Sequence, residues 1–221
     1  MGVIFDLDGT LINSIGTHTK AMKIAMDKVL GKDVVSTTFV RAHIRYPSSI
    51  LFKQLRVELK KKLAAETVKK IMEIRDAELT PRLIKKIKFF NGVFQTVGLL
   101  KELGISYCIA TSMNSRELSK FIPNLKLNSV SEIIINSPRL DLEKPNPFIL
   151  NKSIKTCKMS KSHTYYVGDS PYDLVASRRA GVHFIGVFNK KELGKHPGFC
   201  KDILSLKDRL ERNPDALRDK F

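Results

Sequence analysis

The chain begins with a short apolar run and then changes to a pattern of helical period. Residues 2–5 predict a buried strand, which ends in a polar turn at residues 6–10. From about residue 17 apolar positions recur at helical spacing, and Gly31 is expected to end this helix. Two further helical patterns follow, one with a leucine stripe at 51–63 and an expected cap at Ser48 or Ser49, and one at about 65–79. The pattern therefore predicts an all-helical segment from residue 14 to about residue 88.

After residue 88 short apolar strands alternate with helices. The expected strands cover residues 105–110, 133–135, 165–167 and 184–188, and the expected helices cover residues 93–103, 115–121, 147–157 and 172–180. Such alternation is typical of a parallel sheet with helices on both faces. We therefore predict an α/β fold with a Rossmann-like parallel sheet core, formed by residues 1–13 and 89–221, and an all-helical cap domain inserted at 14–88. The polar tail after about residue 208 is expected to be helical.

Composition sets broad limits on the class of protein. With 221 residues, 43% of them hydrophobic and 28% charged, the chain is long enough to bury a core without disulfides or structural metals. No apolar run approaches the roughly 20 residues that span a bilayer, and the first residues lack the pattern of a signal peptide. Cys108, Cys157 and Cys200 stand alone, without the spacing of a zinc site. We expect a reduced, cytoplasmic protein without membrane contact.

The net charge is the unusual feature of the composition. The chain carries 39 Lys and Arg against 22 Asp and Glu, a formal net charge of +17. Residues 13–88 hold 18 basic and 7 acidic side chains, a net charge of +11. This charge would suit an anionic partner, such as nucleic acid, an acidic membrane surface or a small phosphorylated metabolite. An ordinary solvated lysine-rich surface is favoured over dedicated nucleic-acid binding, because no nucleic-acid-binding motif accompanies the charge. Monomer and homodimer both stay open as oligomeric states.

Carboxylates and hydroxyls collect where the predicted strands end. The first strand is followed by Asp6 and Asp8, the second by Thr111 and Ser112, and the strand at 165–167 by Asp169 and Asp173. In a parallel sheet such strand ends meet at one edge. Lys144 lies in a proline-rich loop shortly before the last of these strands. The sequence therefore predicts one site that combines carboxylates, hydroxyls and a lysine.

These residue types together indicate phosphoryl chemistry. Clustered carboxylates repel one another unless a cation lies between them, and oxygen ligands favour Mg²⁺. A lysine and hydroxyls beside the metal would cradle a phosphate. An aspartate in the same turn is able to attack phosphorus, while a neighbouring carboxyl acts as acid and base.

The same residues resemble the four motifs of the haloacid dehalogenase-like superfamily. The resemblance rests on Phe5-Asp6-Leu7-Asp8-Gly9-Thr10-Leu11, Ile109-Ala110-Thr111-Ser112, Lys144-Pro145-Asn146-Pro147 and Val167-Gly168-Asp169-Ser170-Pro171-Tyr172-Asp173. It covers about residues 2–190 and is closest to members with a type-1 helical cap, similar to phosphoglycolate phosphatases and β-phosphoglucomutases. In such enzymes the cap closes over the site and excludes water.

The resemblance implies a role for each carboxylate. Asp6 is expected to be the nucleophile and Asp8 the general acid and base. Mg²⁺ is expected on the Asp6 carboxylate, the Asp8 backbone carbonyl and Asp169, with Asp173 orienting the metal's surroundings. The presence of Asp8 favours phosphoryl chemistry over dehalogenation, because the dehalogenases of the superfamily lack this second aspartate.

The resemblance also implies the activity. Thr111, Ser112 and Lys144 are expected to hold the phosphoryl group. The expected reaction is Mg²⁺-dependent hydrolysis of a small phosphomonoester, of the phosphoglycolate or sugar phosphate type, through an aspartyl-phosphate.

Two alternatives stay open. A β-phosphoglucomutase-like sugar phosphomutase shares all four motifs, but the cap loop at 41–47 does not reproduce the mutase pattern, so a phosphatase is favoured. The second alternative is a nucleic-acid-binding protein on the same fold, with the basic cap helices as its contact surface. The candidate substrate contacts in the cap are His18, which is similar to a hinge histidine of the mutases, and Arg41, His43, Arg45 and Tyr46.

Overall fold

A computed structural model describes residues 1–212, and five parallel strands form its central sheet. The strands are β1 (Gly2–Phe5), β2 (Ser106–Thr111), β3 (Ile134–Asn136), β4 (Thr164–Gly168) and β5 (His183–Gly186). Their spatial order is β3-β2-β1-β4-β5. The predicted α/β fold with a parallel sheet is therefore confirmed, and each expected strand is present within two residues of its predicted limits.

The order of the strands places the ends of β1, β2 and β4 side by side. Phe5, the last residue of β1, pairs with Ile109 on one side and with Val167 on the other. From β1 the chain builds the sheet outward on one side through β2 and β3, and then returns to build β4 and β5 on the other. Ligands of such sheets bind at this switch point, beyond the carboxyl ends of the strands.

Eleven α-helices accompany the sheet in the part of the chain described. Between β1 and β2 they are α1 (Ile15–Leu30), α2 (Thr37–His43), α3 (Ser48–Glu58), α4 (Ala65–Glu78), α5 (Pro81–Ile84) and α6 (Val93–Glu102). After β2 they are α7 (Ser115–Leu125), α8 (Phe148–Thr156), α9 (Pro171–Ala180), α10 (Lys190–Leu193) and α11 (Ile203–Arg212). Of the predicted helical tail beyond residue 208, residues 213–221 lie outside the described part.

Two details of the helical segment differ from the sequence prediction. Pro47 occupies the N-cap of α3, so neither Ser48 nor Ser49 caps the helix with its side chain. The helix also ends at Glu58, because the chain turns at Lys60 with a φ of 50°. Leu63 lies beyond this turn but is still buried with the leucines of α3. The leucine periodicity thus predicts burial correctly and the length of the helix incorrectly.

Side chains from opposite faces of the sheet form two apolar clusters. Val3 and Phe5 pack with α6, α7 and α11, whereas Ile4 packs with α8 and α9. The helices α1 to α4 contribute a third cluster that includes Met26, Leu55 and Ile71. A separate cluster agrees with the cap domain predicted at residues 14–88, whose limits stay a prediction. Within residues 1–212, none of the helices combines the length and apolar character needed to cross a membrane.

Candidate active site

The carboxyl ends of three neighbouring strands supply the floor of a cavity of about 140 Å³. Asp6 follows β1 directly, Thr111 ends β2, and Asp169 follows β4. All three side chains are buried. Because the register aligns these strand ends, the fold brings together the residues that the sequence placed far apart.

Lys144 lies at the centre of this group. Its Nζ donates to Asp6 Oδ1 at 2.6 Å and to Asp173 Oδ1 at 2.8 Å, and lies 3.1 Å from the Tyr166 hydroxyl. Burial opposes the charged form of the lysine, but the carboxylates of Asp173 and Asp6 raise the pKa of Lys144 well above its usual range. The ammonium is therefore a fixed cation beside the carboxylate of Asp6.

Asp6 is almost fully buried, with 3% of its surface exposed. Burial raises its pKa, Lys144 opposes that effect, and the charges of Asp173 and Asp169 add to it. A carboxyl group in such surroundings becomes a stable carboxylate when additional positive charge is bound.

Asp173 fixes both Lys144 and the loop after β4. It occupies the third position of α9, where its Oδ2 accepts from the backbone amide of Ser170 at 3.0 Å and from its hydroxyl at 2.6 Å. The Asp173 amide donates back to Ser170 Oγ, which completes a capping box. Its other oxygen, Oδ1, accepts from Lys144 and from the Tyr166 hydroxyl at 2.8 Å. Asp173 thus positions Lys144 in addition to the orienting role expected from the sequence.

Asp8 is held in a separate network at the start of α1. Its Oδ1 accepts from the hydroxyl of Ser14 and lies 3.0 Å from His18 Nε2. Burial would raise the pKa of Asp8, but the His18 ring and Ser14 outweigh it and lower the pKa. Burial opposes the charged form of His18, yet Asp8 and Glu117 raise the pKa of the ring. The two groups therefore stabilise each other's charged forms.

The last residue of β2 and the residue after it complete the floor of the cavity. Thr111 Oγ1 accepts from the amide of Met113 at 3.2 Å, and Ser112 Oγ accepts from the amide of Lys144 at 3.4 Å. The first bond shapes the loop after β2, and the second holds that loop against the loop of Lys144. Thr111, Ser112 and Lys144 all line the cavity.

The carboxylates of the floor fit a divalent cation. Asp6, Asp169 and Asp173 each place an oxygen within 4.8 Å of the others. Burial and the charge of Asp173 raise the pKa of Asp169 to about 7, against the opposing effect of Arg45. A set of carboxylate oxygens is the donor type that Mg²⁺ prefers.

Gly9 allows this close approach. It has a φ of 81°, and a Cβ at this position would lie 2.4 Å from Asp169 Oδ2. A larger residue would therefore strain the turn and push Asp169 away from Asp6. The first and fourth motifs are packed so tightly that only glycine fits between them.

Two of the five expected cap residues, Arg45 and Tyr46, line the cavity from the loop at 41–47. Arg45 Nη1 donates to Asp169 Oδ2 at 2.8 Å. The ring of Tyr46 packs edge to face against the ring of Tyr172, with 5.2 Å between the ring centroids. His18 also lines the cavity.

Arg41 and His43 lie elsewhere on α2. Arg41 is exposed and borders an outer groove with Thr37 and Lys23. His43 contacts its own helix. Its Nδ1 lies 2.8 Å from the Phe39 carbonyl oxygen, and the rings of His43 and Phe39 stack with 4.3 Å between their centroids. Neither residue is among those that line the cavity, so their expected role as substrate contacts gains no support from their positions.

The structure adds four polar residues that the sequence analysis did not single out. They are Arg75, Glu117, Glu143 and Tyr166. Glu143 directly precedes Lys144, which is a signal that could have been used. Glu117 follows Asn114 at the start of α7 and looks like an ordinary helix-capping residue, and Arg75 lies within a charged helix. Only the tertiary fold brings Arg75 Nη1 to 2.8 Å from Glu117 Oε1.

Comparisons with known proteins agree with this arrangement. The family model described as haloacid dehalogenase-like hydrolase matches residues 3–187. A phosphoglycolate phosphatase of Pseudomonas syringae pv. tomato is 27% identical over 184 residues, which are 81% of this chain and 66% of the relative. The pyrophosphatase PpaX of Halalkalibacterium halodurans is 28% identical over 185 residues, 81% of this chain and 80% of the relative.

A solved structure supports the fold. A hydrolase from Pseudomonas syringae superposes with a TM-score of 0.81 at 22% identity, covering 96% of this chain and 98% of that one. The chain spans just under two thirds of the length of the first phosphoglycolate phosphatase it matches. Because the family model matches most of the sequence, with all four motifs inside the matched segment, this chain belongs to the haloacid dehalogenase-like hydrolases.

Proposed function

We propose that this protein is a Mg²⁺-dependent phosphatase that hydrolyses a small phosphomonoester through an aspartyl-phosphate on Asp6. The observation that carries the proposal is the contact of 2.6 Å between Lys144 Nζ and Asp6 Oδ1 at the bottom of the cavity. A nucleophilic carboxylate beside a fixed cation suits a substrate whose negative charge must approach another negative charge. Relatives that carry the names phosphoglycolate phosphatase and pyrophosphatase support a small phosphorylated substrate.

The first half of the reaction transfers the phosphoryl group to the protein. An oxygen of Asp6 attacks phosphorus, and the bond between phosphorus and the leaving oxygen breaks. Asp8 donates a proton to that oxygen, so the product leaves as a neutral alcohol. His18, whose pKa is raised by Asp8, can supply this proton through the 3.0 Å contact of its Nε2 with Asp8 Oδ1.

The second half releases phosphate. A water molecule attacks phosphorus and the bond to Asp6 breaks, while Asp8 accepts a proton from the water. Thr111, Ser112 and Lys144 hold the phosphoryl oxygens through both steps, and their donors come from adjacent loops that are bonded to each other. Fixed donors matter here because phosphate-monoester hydrolysis is among the slowest uncatalysed reactions, with enhancements of up to about 10²¹-fold.

The metal would be held by the Asp6 carboxylate, the Asp8 backbone carbonyl and Asp169. When bound, Mg²⁺ would offset the charge of the phosphoryl group and of the clustered carboxylates. Asp173 supports this arrangement by holding Lys144 and the loop that carries Asp169. Residues 14–88 act as the cap, and Arg45 and Tyr46 enclose the substrate from that side.

We also propose a cytoplasmic location, which suits the three free cysteines at positions 108, 157 and 200. The rival interpretation of the +17 charge is nucleic-acid binding. A fluorescence titration with mixed-sequence DNA and RNA at low salt separates the two. We expect no saturable binding at micromolar protein, and a steeply salt-dependent affinity would support the rival.

Phosphate release from a panel of metabolites tests the proposed activity. The panel contains phosphoglycolate, pyrophosphate, sugar phosphates and nucleoside monophosphates, each assayed with Mg²⁺ and with EDTA. We expect metal-dependent release from one or a few members. A quenched turnover with ³²P-labelled substrate should leave label on the protein, and peptide mapping should find it on Asp6. Conversion of β-glucose 1-phosphate to glucose 6-phosphate without net phosphate release would instead indicate a mutase.

A further inference from the structure

We infer that Glu143 is a specificity-determining residue, which selects a leaving group that donates hydrogen bonds and disfavours one that carries a carboxylate. The inference rests on the proposed function, because it concerns the group that the reaction releases. Glu143 lines the same cavity as Asp6 and directly precedes Lys144 in the chain.

The position of Glu143 places it between the phosphoryl-holding residues and the cap. Its loop is bonded to Ser112, because the amide of Lys144 donates to Ser112 Oγ at 3.4 Å. Its own side chain points to the start of α3 in the helical segment, where Oε2 accepts from the amide of Ser48 at 3.4 Å. A substrate held by Ser112 and Lys144 and covered by the cap therefore has its leaving group on the side of Glu143.

The Glu143 carboxylate has unused acceptor capacity. Within residues 1–212, the long bond from the Ser48 amide is the only hydrogen bond that the carboxylate accepts, and the carboxylate takes part in no ion pair. A carboxylate can accept about four hydrogen bonds. Burial raises the pKa of Glu143 to about 7, since the opposing effects of Ser48, Arg75 and Lys144 are smaller. Glu143 is half-buried in the cavity wall, so its open acceptor positions face the cavity and a substrate can supply donors to them.

The two cations that act on Glu143, Arg75 and Lys144, are committed to other carboxylates. Arg75 is bound to Glu117 at 2.8 Å, and Lys144 is bound to Asp6. Glu117 also adds to the negative potential at Glu143. A leaving-group carboxylate placed beside Glu143 would face a like charge at close range, which is unfavourable. A hydroxyl or an ammonium group would instead donate to Glu143 and satisfy it.

Three substrates that differ only at the end of the leaving group test this inference. They are phosphoglycolate, 2-hydroxyethyl phosphate and 2-aminoethyl phosphate, which end in a carboxylate, a hydroxyl and an ammonium group. The assay is run with Mg²⁺ at pH 8, where Glu143 is mostly ionised. We expect kcat/KM for the hydroxyl and ammonium substrates to exceed that for phosphoglycolate by about tenfold or more.

The variant Glu143→Gln removes the charge but keeps the shape. In this variant we expect kcat/KM for the hydroxyl and ammonium substrates to lie within about threefold of that for phosphoglycolate. We also expect kcat/KM to fall more for 2-aminoethyl phosphate than for 2-hydroxyethyl phosphate. The exposed Glu132→Gln, which removes one negative charge outside the cavity, should leave all ratios unchanged. Because each variant is compared with itself across three substrates, a loss of folded protein does not alter the ratios.

The outcomes separate the inference from the proposed function. Equal or better use of phosphoglycolate by the unaltered protein overturns the inference and leaves the phosphatase assignment intact. Ratios that stay the same in Glu143→Gln also overturn it. No phosphate release from these substrates or from any member of the metabolite panel would contradict the proposed function itself.

Discussion

The guanidinium of Arg45 lies 2.8 Å from Asp169 Oδ2, so that a cation from the cap loop contacts a carboxylate proposed to hold Mg²⁺. The side chain of Asp169 is 4% exposed and that of Arg45 is 36% exposed. The arginine is therefore accessible to solvent, whereas the aspartate is enclosed. A metal ion bound as proposed at Asp169 would compete with Arg45 for this carboxylate.

Removal of Arg45 should tighten metal binding. In Arg45→Gln the Asp169 carboxylate is free of its competitor, and we expect the apparent Kd for Mg²⁺ to fall by about three- to tenfold. The rise of Tm with Mg²⁺ concentration measures this without any substrate. The matched control is Arg41→Gln, which removes an equal charge from an exposed position outside the cavity. An unchanged or weaker Kd in Arg45→Gln would show that the pair does not oppose the metal.

Loss of Lys144 should reduce both activity and stability. Lys144→Met leaves Asp6 and Asp173 without their shared cation in a buried site. Breaking such a pair costs about 3–5 kcal/mol of unfolding free energy, and the loss of a fixed charge at the phosphoryl group should lower kcat by at least about 10²-fold. Urea denaturation without metal measures the first effect. Lys155→Met on the exposed face of α8 is the control, and an equal loss there would contradict the assignment.

The buried pair between α4 and α7 should couple the helical segment to the core. Arg75→Met leaves the buried carboxylate of Glu117 without its cation. Burial already raises the pKa of Glu117, and Arg75 opposes that effect. We therefore expect the variant to lose about 3–5 kcal/mol of unfolding free energy. The double variant Arg75→Met/Glu117→Gln should recover at least about 1 kcal/mol of that loss. A double-mutant cycle measured by urea denaturation gives the interaction energy. Strict additivity of the two substitutions would show that the contact contributes nothing.

The His18–Asp8 pair should make stability depend on pH. Because Asp8 raises the pKa of His18 above the ordinary value of 6.5, the pair stabilises the fold fully below pH 6.5. That stabilisation disappears as the pH rises through the folded pKa. His18→Gln should therefore lose more unfolding free energy at pH 6 than at pH 9. His163→Gln, at an exposed position, should show no such difference, and a loss in His18→Gln that is larger at pH 9 would contradict the pair.

The core of the site could be predicted from the sequence because strand ends are local signals. Asp6, Thr111 and Asp169 each follow an apolar strand, and a parallel sheet brings such ends to one edge regardless of the loops between them. Arg75 and Glu117 could not be predicted in this way. Their contact depends on how the helical segment lies over the core, which no local pattern encodes.

The cap loop illustrates the same limit. Arg41 and Arg45 are four residues apart, a spacing that would place them on one face if the helix continued. α2 ends at His43, so Arg45 falls in the loop before Pro47 and extends into the cavity, while Arg41 stays on the outer surface. Composition and charge alone could not distinguish the two arginines.

The most direct test of the central claim is phosphate release by Asp6→Asn with the best substrate of the panel and saturating Mg²⁺. The asparagine is nearly isosteric but is not a nucleophile, so the account predicts a loss of at least about 10³-fold in kcat with the fold intact by circular dichroism. The exposed Asp141→Asn serves as the matched control and should keep full activity. Substantial turnover by folded, metal-loaded Asp6→Asn would contradict the assignment of Asp6 as the nucleophile.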